Sequence, residues 1–489
     1  MRTGRAGIRL PLVLLAALLA GGCGRSARVA PDRLLAEYDR MADHVGWPGF
    51  RPREIPLTVY DGEKTYLFRH PEPPEEFRPV SRGGPVWATD GRYPALRANT
   101  AIDVGGVPTA GVLARTGDSG GANGLRAPEE IARLLIHEAF HVYQAERHPD
   151  WTANEVDLFT YPVADVELLR LRRLETAALR RAVHPADSTR ELCWGRAVVR
   201  WRERRLERLP DEAAAYERGT ELREGLARYV ERRAAGQTGP PSLPAEGFSP
   251  EAVRERAYAT GHAFAYLLDR IGAHWREELE ASQETGGVAE PDKEPTPGRT
   301  PGPEPRPGPG PGLADLLRSA LRPVEGPRCR LTPDEAGRAR AVAAADVGAL
   351  RRGRVRRREA FERRPGWSVA VIAAAGRPLF PQEFDPLNVE ILGEGGVLHT
   401  RLLRLGGADG SLEILDAEAL TEAAGSHPLF EGVARVLLTG MAEEPGEETR
   451  GDTLIVESPG FTGRFLGASL RREGRRWIIG WEAPERTRG

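Results

Sequence analysis

This chain of 489 residues is short of several things. It has three cysteines, three methionines, ten histidines and almost no lysine. Three cysteines exclude a disulfide-dense scaffold, and none stands in a CxxC, so the sequence holds no sulfur-ligated zinc motif. Charge of one sign is also missing. Lys and Arg number 69 against 71 Asp and Glu, a formal net charge of −2. That balance excludes an extended basic surface, so nucleic acid is not expected as a partner. Arginine clusters at 170–181, 200–208 and 351–364 sit among acids in helical patterns and read as solvated helix faces. The apolar run at 10–20 is too short for a typical membrane span of about 20 residues.

Because histidine is scarce, His137-Glu138-Ala139-Phe140-His141 stands out. The preceding stretch starts at Pro128 with Glu129 and Glu130 behind it, a helix-start pattern. Ile131, Leu134, Leu135 and Val142 recur at helical spacing and give a buried face. On a helix, HExxH sets two imidazoles one turn apart on one side, close enough to share a metal ion. Glu138 then lies beside that metal, where it can take a proton from water.

A zinc site of this type needs a third protein ligand and an open position for water. Residues 142–147 read VYQAER, so HExxHxxGxxH is not formed. The third ligand is expected to be a carboxylate on a later helix. Glu224 is the leading candidate, with Gly225 and Ala227 beside it to let its helix approach the motif helix closely. Glu167 and Glu175 are rivals, with pairing to neighbouring arginines as their other reading.

HEAFH followed by EGLARYVE at 224–231 resembles the gluzincins, zinc metallopeptidases with HExxH and a downstream Glu. The group includes aminopeptidase-like members whose second motif is similar to EGFAxYxE. The resemblance is confined to these two motifs and to YATGHAFAYLL at 258–268, similar to a helix that follows the glutamate helix in this group. It implies Zn2+ as cofactor, His137, His141 and Glu224 as ligands, and Glu138 as general base. It also implies a peptide or protein substrate and an edge strand that aligns it, sought between Thr100 and Leu113. A second electrophile besides the metal is needed for the oxyanion. Tyr258 is the first choice, His262 the second and Tyr229 the third. Two features depart from the family. The 82 residues between His141 and Glu224 exceed the spacing in the aminopeptidase-like members and read as an extra helical hairpin, and no equivalent of their loop that anchors a free N-terminus is evident. A non-catalytic envelope protein on the same scaffold, and an amidase acting on cell-wall peptides, are the competing readings.

At the N-terminus, Arg2, Arg5 and Arg9 precede the apolar run, and Gly21-Gly22-Cys23 follows it. That is a secretory signal pattern. The small residues before Cys23 resemble the lipobox of bacterial lipoproteins, with Ala20 where a leucine is usual. The resemblance implies cleavage after residue 22, lipid on Cys23 and a membrane-anchored protein in a bacterial cell envelope, facing the periplasm or exterior. Cys193 and Cys329 are then left, bonded or free.

The expected fold is α+β: a mainly helical zincin-like metallopeptidase domain with a small N-terminal sheet, then a small β-rich domain. A first helix is read at 31–45 and a hairpin at 55–59 and 64–68. Strands are read at 100–104 and 110–113. Helices are read at 166–183, 194–208 and 211–233. The expected organisation is a signal peptide at 1–22, a tether at 23–30 and the peptidase domain at 31–280. A Pro/Gly-rich loop or linker follows at 281–312, where apolar burial is impossible. Helices at 313–365 complete or follow the peptidase domain, and 366–489 form the β-rich part. His399 and His427 there stand alone and read as structural.

Overall fold

The computed structural model describes residues 28–80, 84–115, 124–272, 274–284, 310–322, 328–385, 388–393, 395–425 and 427–481. The signal segment, Cys23 and most of the Pro/Gly-rich stretch lie outside the described residues. The class is α+β. The chain divides into two compact units, one of residues 1–42 and 52–139, the other of 43–51 and 140–489. The dividing line crosses the unbroken motif helix Pro128–Arg147 between Ala139 and Phe140.

The first unit holds the helix Pro31–Ala42, three residues shorter than the reading at 31–45. Its six-stranded sheet runs Arg78–Pro79, Val86–Asp90, Lys64–Phe68, Leu57–Tyr60, Val107–Leu113, Thr100–Val104. The hairpin around Asp61 forms with Leu57 opposite Phe68. The buried Asp61 carboxylate accepts from the amides of Glu63 and Lys64, which fixes the turn. Leu57–Tyr60 also pairs in parallel with Val107–Leu113, and Thr100–Val104 is the outer edge.

In the second unit, the residues between the two motifs fold as the helices Val166–Val183 and Ser188–Leu206, packed on each other, then Asp211–Thr220. Both hairpin helices begin at aspartate caps, Asp165 and Asp187, whose carboxylates accept from amides of the first turn. The helix read at 211–233 is interrupted. Residues Glu221–Gly225 form a π-helical turn, and an α-helix resumes at Leu226–Ala234. The helix Val253–Ile271 crosses this segment at a glycine pair. A Cβ on Gly225 would lie 2.6 Å from the Gly261 Cα, and one on Gly261 would lie 2.6 Å from the Glu221 carbonyl oxygen. The expectation that Gly225 makes room for the motif helix is therefore corrected. Its missing side chain admits the backbone of 253–271.

The short helix Leu313–Leu321 buries Leu313, Leu317 and Leu321 against Val253–Ile271 and Ser188–Leu206, so it completes the helical part. A disulfide joins Cys193 to Cys329, with Cα atoms 5.3 Å apart. The long helix Pro333–Glu362 starts with a Thr332–Glu335 capping box. It leads into two antiparallel-rich sheets of seven and six strands that share one core, with Val371, Val436 and Trp477 from one meeting Leu405, Ile414 and Phe465 from the other. Alternation carries the opposite side of the seven-stranded sheet. Ala370 and Leu437, between inward-facing neighbours, pack with Phe361 at the end of the long helix.

Arginines at 200–208 are not all on a solvated face, as the sequence suggested. Arg202 and Arg205 are buried with Arg256 among Glu175, Glu217 and Glu221. Arg205 forks onto Glu217 at 2.7 and 2.8 Å and reaches Glu175 at 2.7 Å. Arg256 joins Glu175 at 2.8 Å, and Arg202 holds Glu221 at 2.5 Å. Three cations meet three anions, so little net charge is buried and each carboxylate has fixed donors. Burial favours the neutral form of Glu175, but Arg205, Arg256 and Arg202 outweigh it and hold its pKa at about 2. The network also fixes the π turn, because Glu221 is its first residue and Thr260 donates to the same carboxylate at 2.7 Å.

Candidate metal centre

The motif helix carries Phe140 and Tyr143 on an aromatic side, where Trp47 and Phe50 pack on Phe140 edge-on at 5.2 and 5.1 Å. Behind it, Glu280 accepts from Trp47 Nε1 at 2.7 Å and from Tyr143 at 2.8 Å, and contacts His148 Nε2 at 2.8 Å. These contacts anchor the C-terminal half of the helix, and with it His141.

His137, His141 and Glu224 come together. One ligand atom from each lies within 4.8 Å of the others. His141 Nε2 and Glu224 Oε2 are 3.4 Å apart. Two ligands on a tetrahedral ion with bonds of about 2.05 Å are separated by about 3.3 Å. By contrast, the His148–Glu280 pair closes to 2.8 Å, an ordinary hydrogen bond. The His141–Glu224 spacing, and the chemistry of two imidazoles and one carboxylate, fit a zinc ion.

A residue the sequence reading missed sets the state of His141. The Gln144 amide nitrogen donates to the carbonyl oxygens of Leu222 and Arg223 at 3.0 and 3.1 Å. Its Oε1 must therefore face His141 Nδ1, 2.8 Å away, and accept from it. Nδ1 carries a proton, so Nε2, on the Glu224 side, is the ring nitrogen able to hold a metal. Gln144 thus ties the second histidine to the π turn that bears Glu224. The available signal was small: a glutamine three residues past the second histidine, on the same helix face.

Glu138 is buried at 6% exposure beside His137 on the same helix. Tyr258 lies against Glu224, and burial together with that carboxylate pushes its phenol well above the usual range. Arg254, one turn earlier, was also missed. Its guanidinium lies 3.3 Å from the Tyr258 hydroxyl, 3.6 Å from Glu224 Oε1 and 3.5 Å from Glu155. The other two electrophile candidates sit differently. His262 is buried, and its pKa falls to about 3 through burial, then the charges of Arg232 and Arg228. Tyr229 donates to Asp269 at 2.7 Å and accepts from Arg276, within an aromatic cluster containing Trp275. The rival ligands are engaged elsewhere, Glu175 in the buried network and Glu167 in a bidentate pair with Arg170.

Arg254 and Glu155 also line a cleft of about 710 Å³. Four consecutive residues, 389–392, form part of its wall. Side chains on a strand alternate faces, so four in a row mean that the strand's edge borders the space. That strand, Val389–Gly393, is the outermost of the seven-stranded sheet.

Comparison of the chain with protein-family models, with curated proteins and with solved structures finds no match.

Proposed function

We propose that this protein is a zinc-dependent metallopeptidase with a zincin-like catalytic part, in which His137, His141 and Glu224 hold the metal and Glu138 is the general base. The observation that carries this reading is the His–His–Glu cluster, with its 3.4 Å His141–Glu224 spacing and the tautomer imposed by Gln144. Zinc held there supplies a Lewis acid and water of lowered pKa. Glu138 takes the proton from the attacking water and delivers it to the departing amine. Tyr258, oriented by Arg254, is suited to donate a hydrogen bond to the carbonyl oxygen as negative charge grows there. The cleft beyond Arg254 gives an extended peptide room beside the edge of Val389–Gly393.

The test is zinc content of the purified protein and of Glu224→Ala, followed by peptide hydrolysis with Glu138→Gln as control. The reading expects about one zinc per chain, lost in the first variant, and hydrolysis lost in the second while zinc stays. No zinc after reconstitution would overturn it in favour of a binding scaffold. Zinc retained by Glu224→Ala would overturn the ligand set. The reading extends to an envelope location through lipidation at Cys23, which predicts fatty-acid labelling that Cys23→Ser abolishes.

A further inference from the structure

The helix Ser188–Leu206 uses its arginines in two ways. Arg202 and Arg205 face the buried carboxylates. Arg200 and Arg204, one turn apart, instead line a cleft of about 400 Å³ together with Trp201, Arg328, Arg330 and Leu331. Among the described residues, no carboxylate lines it. Glu203, a neighbour on the same helix, is engaged by Arg318 at 2.8 Å.

Four like charges do not gather without a constraint, and here it is covalent. The Cys193–Cys329 disulfide fastens the segment between Arg328 and Arg330 to the helix. Arg200 adds a hydrogen bond to the Cys329 carbonyl at 2.9 Å. Burial, then repulsion from Arg328, Arg204, Arg330 and Arg196, lowers the pKa of Arg200. Arg204 lies over the Trp201 ring at 5.2 Å, so the aromatic face helps orient one guanidinium.

We propose that this cleft binds a phosphate group carried on an organic ligand. Guanidinium forks match phosphate oxygens bidentately, and an incoming anion relieves the mutual repulsion of the arginines. Trp201 and Leu331 offer apolar surface to the organic part, and the volume is that of a small-ligand site. A soluble phosphate ester and a phospholipid headgroup present this same chemistry. The inference does not depend on the metal centre.

The experiment uses the full-length protein carrying Cys23→Ser, so that no lipid anchor holds it to vesicles, and two probes. Glycerol 3-phosphate is titrated by calorimetry, and vesicles of phosphatidylcholine with or without phosphatidylglycerol are tested by sedimentation, both at about 50 mM salt, where screening is modest. Arg200→Gln and Arg330→Gln are compared with Arg338→Gln, which removes one exposed charge from the long helix Pro333–Glu362. In at least one arm, the first two variants should weaken saturable binding tenfold or more, with Arg338→Gln within twofold of wild type. Binding of the free ester identifies a soluble ligand; dependence on phosphatidylglycerol alone identifies a headgroup. Equal weakening by all three variants, or no saturable binding in either arm, overturns the proposal. Arg330 is exposed, so its variant keeps the test decisive if Arg200→Gln does not fold.

Discussion

Replacing Gln144 by leucine isolates the connection between the motif helix and the π turn. The side chain is 3% exposed and of similar size to leucine, so the change removes hydrogen bonds with little change of volume. The carbonyl oxygens of Leu222 and Arg223 lose the Gln144 amide, although Arg223 keeps the Leu226 N–H, and His141 Nδ1 loses its acceptor. Each buried polar group left unpaired costs about 1–3 kcal/mol, and carbonyls sharing one amide fall toward the lower end. The apo-protein should lose about 2–4 kcal/mol, read by urea unfolding. Zinc affinity should fall about 10–100-fold, because the ring is free to rotate and to change tautomer. Gln144→Glu separates the two effects. Its carboxylate still accepts from Nδ1 but repels both carbonyl oxygens, so stability should fall at least as far while zinc affinity falls less. The assay for zinc is competition with a chromophoric chelator. Wild-type zinc affinity in Gln144→Leu would refute the reasoning that Gln144 sets His141 for the metal.

The glycine crossing predicts that Gly261→Ala, which drives a Cβ into the Glu221 carbonyl, costs about 3 kcal/mol or more. Gly337→Ala, on the exposed helix Pro333–Glu362 with nothing within 4 Å, should instead stabilise by about 0.5–1 kcal/mol. Equal denaturation midpoints for the two would refute the close approach. Cys193 and Cys329 are 136 residues apart, and chain entropy gives their bond up to about 5 kcal/mol. The double alanine variant should melt lower under non-reducing conditions, whereas adding reductant should leave it unchanged. His399 is buried in the β-rich part, and burial, then His427, lowers its pKa to about 4. Below about pH 6.5 the unfolded chain takes up a proton there that the folded chain refuses. Stability should therefore drop as pH falls from about 6.5 to 4, by up to about 1.4 kcal/mol per pH unit from this residue. His399→Gln should flatten that part of a stability–pH curve; an unchanged slope would refute the assignment.

What was legible in the sequence follows from the range of the forces involved. The motif helix could be read because Pro128, the acids behind it and the apolar spacing all act within a few turns. The hairpin around Asp61 was legible for the same reason, since its turn is held by local bonds to Glu63 and Lys64. Glu224 could be nominated from a short motif. The engagement of its rival Glu175 could not, because the pairs that hold Glu175 involve Arg202, Arg205 and Arg256, 27, 30 and 81 residues away in sequence. A run of arginines looks the same whether it faces water or a cluster of glutamates. The period of a helix says only which residues share a side. It does not say what the rest of the chain brings to that side.

The π turn carries the same lesson into the site. Nothing in Glu221-Leu222-Arg223-Glu224-Gly225 marks it as different from ordinary helix. It arises where three long-range demands meet. Arg202 and Thr260 hold Glu221, Gly225 must clear Gly261, and Gln144 takes the carbonyls of Leu222 and Arg223. The widened turn presents the Leu222 and Arg223 carbonyls to the Gln144 amide, the second in addition to the Leu226 N–H. Those carbonyls fix the Gln144 amide, the amide fixes a proton on His141 Nδ1, and Nε2 is then the ring nitrogen that lies 3.4 Å from Glu224. The insert between the two motifs thus has a physical role in this chain. Through Arg202 it holds the turn from which the glutamate reaches the two histidines.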